Sequence, residues 1–84
     1  MTPRVRQVIA HEDYTLTLTF SNGEIRRFDM RPYLDYPVFQ ALRNSALFKL
    51  ARPAHGTVTW PPEIDFAPET LYLDSLPCEH QTAA

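Results

Sequence analysis

Three arginines stand close together in the chain: Arg26, Arg27 and Arg31. A guanidinium fork suits carboxylate or phosphate, and Tyr33 and Tyr36 lie near enough in sequence to stack on a flat ligand. Seven of the eight Lys and Arg residues are Arg, which strengthens that reading. The plainer reading is a solvated strand whose charges discourage edge-to-edge pairing. Glu63 and Asp65 form a second constellation. Two residues apart in an extended segment, they share one face and can share a proton or hold a hard cation. Asp65 alone would instead cap backbone donors in the adjoining Pro-rich turn. Trp60, ahead of Pro61-Pro62, is either a core side chain or a partner-binding anchor, and Tyr72 is a second candidate anchor.

Other chemistry is weakly supplied. His11, His55, Cys78 and His80 are the candidate soft metal ligands, but their spacing fits no standard motif, and no metal site is expected. Cys78 and His80 have nothing to orient them as nucleophile and base. Ser21, Ser45 and Ser75 read as turn and cap residues, so no catalytic residue is assigned. With Gly23 and Gly56 the only glycines, both glycine-rich phosphate-binding patterns are excluded. No cofactor is expected.

The bulk numbers agree with a small binding module. Eighty-four residues allow one domain at most, and 44% hydrophobic with 21% charged residues is globular composition. A core this small competes with any deep active site for apolar side chains. One cysteine excludes an internal disulfide framework. The chain shows neither a signal-peptide pattern nor an apolar run of membrane-spanning length, so a cytoplasmic location is expected. The net charge of −2 argues against a general nucleic-acid binder. Charge is unevenly spread: residues 24–52 hold six cations against three acids, whereas residues 53–84 hold five acids and no Lys or Arg.

The elements that must position these residues can be read from periodicity. Val5, Gln7 and Ile9 alternate with Arg6 and Val8, giving a first strand that ends near residues 11–13. Tyr14 to Phe20 alternates without a break, with Leu16, Leu18 and Phe20 on one face and threonines on the other. Ser21-Asn22-Gly23-Glu24 makes a hairpin turn, and residues 24–29 return. A two-residue loop would pair Phe20 with Ile25. A three-residue loop with Gly23 in a bulge would pair Leu16 with Phe28 and leave Ile25 among the threonines. The bulged form is favoured because Phe28 is the larger apolar side chain.

Asp29 caps a short turn through Pro32 and Leu34. A helix opens at Tyr36-Pro37, carries Val38, Phe39 and Leu42 as its stripe, and ends at Asn44-Ser45. Residues 46–50 fit one helical turn or a strand. Residues 57–60 read as a final strand, 63–66 as extended chain, and 67–76 as a last short helix. The expected fold is α+β: a small two-layer domain over residues 1–76. A short antiparallel sheet, made of an N-terminal meander with the Asn-Gly hairpin plus a later strand, packs against two or three short helices. Residues 77–84 read as a flexible tail.

The ordered series Tyr14-x-Leu16-x-Leu18-x-Phe20, Asn22-Gly23-Glu24, Phe28-Asp29, Tyr33-Leu34, Phe39-x-x-Leu42, Phe48, Gly56-x-Val58-x-Trp60-Pro61 and Ile64-Asp65-Phe66-x-Pro68-Glu69-x-Leu71-Tyr72 resembles bacterial domain-of-unknown-function family 2442. Pro62 departs from the usual pattern. The resemblance implies a small α+β fold, found alone or ahead of a helix-turn-helix, and for some members a gene beside a small toxin-like protein. It carries over no catalytic residue, and no residue here supports the molybdopterin label some members bear. The expectation is a non-enzymatic protein-interaction module, antitoxin-like, whose partner is the product of an adjacent gene or a second copy in a homodimer. Its acidic half would cover a basic partner surface. The alternative is a small-ligand-sensing domain related to those fused to transcription regulators, with Arg26, Arg27 and Arg31 reading an anion. With no room for a helix-turn-helix, direct DNA binding is not expected, and no membrane association is.

Overall fold

A computed structural model of the chain describes residues 2–61 and 64–77. Among the described residues, seven strands and two short α-helices run in the order β1 (Val5–Ala10), β2 (Thr15–Phe20), β3 (Ile25–Asp29), α1 (Ser45–Phe48), β4 (Arg52–Ala54), β5 (Thr57–Trp60), β6 (Ile64–Asp65), α2 (Pro68–Leu73) and β7 (Leu76–Pro77). Two 3-10 segments, Arg31–Tyr33 and Pro37–Arg43, lie between β3 and α1. The α+β class is as expected. The strand at 57–60, however, does not extend the meander. The described strands form two antiparallel sheets, β1-β2-β3-β7 and β4-β5-β6.

The β2–β3 hairpin takes the bulged form. Gly23 N–H donates to Phe20 O at 2.9 Å, Phe20 N–H donates to Glu24 O at 2.9 Å, and Gly23 has φ +90. Leu16 therefore pairs with Phe28, Leu18 with Arg26, and Thr19 with Ile25. Leu16, Leu18, Phe20 and Phe28 are fully buried on the inner face. The Asp29 carboxylate accepts from Arg31 N–H at 2.9 Å, although the N-cap of the 3-10 segment is Met30, one residue later than expected.

The first strand departs from strict alternation. Val5 pairs with Phe20 and Gln7 with Thr19, so Arg6 is an extra residue in a β-bulge. The bulge shifts the side-chain phase by one. Val5, Val8 and Ala10 turn to the core, while Gln7 and Ile9 join the threonine face. A regular strand would have put Gln7 inside, so burial of Val5 and Val8 together requires the extra residue.

The helix expected from Pro37 is a 3-10 segment that buries Phe39 and Leu42. Asn44 ends it and also starts α1, where its side chain accepts from Ala46 N–H at 3.0 Å. Residues 52–54, which periodicity does not mark, form β4 because the two-residue turn His55-Gly56 folds them onto β5. Both turn residues have positive φ, 55° and 80°, the geometry of hairpin turns that match strand twist. Helix α2 stops at Leu73, short of the expected 76, because the chain turns to pair Leu76 and Pro77 with Arg27 and Arg26. Pro77 thus belongs to the sheet rather than to a tail; residues 78–84 lie outside those described.

The core lies between the inner face of the larger sheet, the 3-10 and α1 segments, and the smaller sheet. Phe66 is its aromatic hub, stacked on Phe39 at 4.9 Å and edge-on to Phe28 and Tyr33 at 5.3 and 5.2 Å. The main chain joins the two sheets where Val5 N–H donates to Gly56 O at 3.0 Å.

Candidate functional site

Strand alternation divides the expected arginine cluster. Arg26 lies opposite Leu18 on the inner face, and Arg27 opposite Thr17 on the outer face. Arg26 rests over the Tyr72 ring, 4.7 Å from its centroid. Its Nε donates to Ser75 Oγ at 2.6 Å, one terminal nitrogen donates to Ser75 O at 2.8 Å, and the other pairs with Glu24 at 2.8 Å. Arg27 pairs with Asp13 at 3.1 Å and Arg31 with Asp29 at 2.8 Å. The three guanidinium groups do not converge on a ligand; each has its own carboxylate. Tyr33 is also occupied, stacked on Phe28 at 5.3 Å.

The titration behaviour has the same structural origin. The Tyr72 hydroxyl donates to Glu24 at 2.5 Å. This bond, with those from Arg26 and Asn22, holds the Glu24 carboxyl below its ordinary range, and the same Tyr72–Glu24 bond pushes the Tyr72 phenol up. The Thr15 hydroxyl lowers Asp13, and the Arg31 side chain lowers Asp29. Asp74 accepts from the Tyr33 hydroxyl at 2.7 Å, and the Tyr33 phenol is raised to about 12. The largest cause of each of these shifts is a hydrogen bond, local for Asp13 and Asp29 and long-range for Glu24, Tyr72 and Tyr33.

The expected anchors fare differently. Trp60 is 1% exposed, and its Nε1 donates to Phe48 O at 2.9 Å. No partner can reach it, so as a binding residue it is corrected to a core residue. Tyr72 is half-buried against Phe20, ring centroids 5.1 Å apart, with its hydroxyl already engaged. Asp65 is exposed on β6 and lines a hollow of about 250 Å³ with Arg52 and His55. Glu63 lies outside the described residues, as do Cys78 and His80. Among the described residues no three His, Cys, Asp or Glu side chains gather as a metal centre.

Sequence reasoning overlooked what the pairing leaves open. Five cations, including Arg43 with Asp35 and Lys49 with Glu12, have carboxylate partners. Arg4, Arg6 and Arg52 have none among the described residues. Arg4 lies with Glu69 in a hollow of about 400 Å³, and Arg52 shares its hollow with Asp65. Arg6 lines a hollow of about 300 Å³ with Gln7, Thr19, Phe20, Ser21 and Gly23, where no carboxylate is present. Beside it runs the outer face of the larger sheet. Ile9, Thr17, Arg27 and Leu76 form a row across its four strands, and Gln7, Thr19 and Ile25 form the next. Ile9 is 59%, Ile25 39% and Leu76 71% exposed. The only sequence signal was the bulged register, which placed Ile25 among the threonines.

The family model described as a protein of unknown function (DUF2442) matches residues 5–75. The chain belongs to this family, as the ordered motif series indicated. Nothing among curated proteins or solved structures matches it.

Proposed function

We propose that this family member is a non-enzymatic protein-interaction module, antitoxin-like, working as the partner of an adjacent gene's product. The supporting observation is the contrast between the two faces of the larger sheet. The inner face and its surroundings bind up Arg26, Glu24 and Tyr72 in the fold, while the outer face offers large aliphatic side chains to solvent. Isolated exposed aliphatics are ordinary, but here three share one sheet face, set around Thr17, Thr19 and Arg27. The buried Trp60 and engaged Tyr72 move contact away from the acidic half and toward this sheet.

The ligand-sensing alternative needs Arg26, Arg27 and Arg31 around one anion, and their separate pairings disfavour it. A thermal-shift screen over metabolites should therefore be flat. Co-expression of the whole chain with the neighbouring gene product tests the main reading. A co-purifying complex, with relief of any toxicity of the partner, is the expected result. No complex and no relief would remove it.

A further inference from the structure

We propose that the outer face of the β1-β2-β3-β7 sheet seats an acidic amphipathic helix of a partner protein, with a partner carboxylate at Arg6. The inference rests on the interaction-module reading and gives it a surface and a partner chemistry. The aliphatic part is fixed by register: Ile9 and Leu76 lie in one row across the sheet, and Ile25 lies in the next row. Their exposure leaves them free to make contacts.

Charge selects the partner. The bulge between Val5 and Gln7 makes Arg6 the extra residue of its strand, and bulges commonly re-aim side chains at functional edges. Arg6 has no ion pair among the described residues, unlike Arg27 of the outer face, which has Asp13. Its hollow also contains the hydroxyl-bearing Thr19 and Ser21 and no carboxylate. A carboxylate entering there meets a fork donor and hydroxyl donors with no like charge in the lining.

Size selects the shape. Strands of six, six, five and two residues give a face about 15 Å across and at most about 20 Å long. That is on the order of 300 Å², well short of the roughly 800 Å² per partner of a stable dimer. It does fit one helix, about 10 Å wide with its side chains. The face therefore favours a helix over a second copy of this chain.

The test is an amide proton–nitrogen correlation titration of the full chain. The probe is a helical peptide of about 14 residues with leucines on one face and glutamates along its flank. A lysine-flanked counterpart is the control. Saturable shifts at Thr17, Thr19, Ser21 and Ile25 are expected for the acidic peptide. Arg6→Glu should weaken its binding at least about fivefold and Ile25→Thr about threefold, with amide dispersion showing that both variants fold. The lysine peptide should bind the parent more weakly and should gain rather than lose affinity on Arg6→Glu.

No saturable shift, shifts centred elsewhere, or equal binding of both peptides would overturn the proposal. So would shifts of the same amides with protein concentration alone, which would make a second copy the occupant. Co-purification reads the broader function separately. A partner complex that survives Arg6→Glu with Ile25→Thr removes this surface and leaves the module reading standing.

Discussion

Arg26 grips Ser75 twice, at the hydroxyl by Nε at 2.6 Å and at the main-chain carbonyl by a terminal nitrogen at 2.8 Å. Ser75 is 3% exposed, and its hydroxyl donates a hydrogen bond to Tyr72 O at 2.7 Å. The pair spans 49 positions of sequence and fastens the end of α2 to the sheet.

Arg26→Ala should therefore lower stability by about 1–3 kcal/mol, because Ser75 is left buried with fewer partners. Arg27→Ala and Arg31→Ala remove solvent-screened pairs and should leave the thermal midpoint close to that of the parent. Circular-dichroism melts of the three variants check the contrast. Equal losses would mean that the sheet face does not decide the role of each arginine.

Trp60→Phe should cost about 1–3 kcal/mol through the lost donor to Phe48 O and the vacated volume. Partner binding measured on the folded variant should be unchanged, since the indole is buried. Loss of binding without loss of stability would restore Trp60 as an anchor.

Stability should fall in acid. Asp13, Glu24 and Asp29 are all lowered from ordinary values of 3.8, 4.5 and 3.8 by bonds made in the fold. Their contribution is present above those values and is lost as pH falls through the lower, folded ones, where the unfolded chain already holds the protons. At the alkaline end the sign reverses. Tyr33 is raised from 10.0 to about 12, so its contribution is full below 10 and is lost as pH rises toward 12. Chemical unfolding across pH, with Tyr33→Phe as the alkaline control, reads both limbs.

His55 occupies a left-handed position at φ 55 that Asn or Gly fills with less strain. His55→Asn or His55→Gly should raise stability by about 0.5–1 kcal/mol. Gly56→Ala should lower it by a similar amount, about 1 kcal/mol, because φ is +80 there and a Cβ would come 3.0 Å from Arg4 Nε. Thermal melts settle the order.

Local pattern determined the β2–β3 hairpin. The alternation from Leu16 to Phe20, Asn22-Gly23 and the size of Phe28 together specify one register, because a one-residue slip would put Phe28 in water. The family was equally legible, since motif order is a property of the chain alone. Tertiary structure decided the rest. Whether Arg6 interrupts a strand depends on Val5 and Val8 both reaching the core, which no window around Arg6 reveals. Neighbouring arginines become separate residues once pairing sends Arg26 inward to Ser75 and leaves Arg27 outward. Trp60 belongs to the interior because α1, far from it in local pattern, brings the Phe48 carbonyl to its indole nitrogen. Side-chain type sets what a residue can bind, but only long-range contacts set which face it occupies and which partners have already taken it.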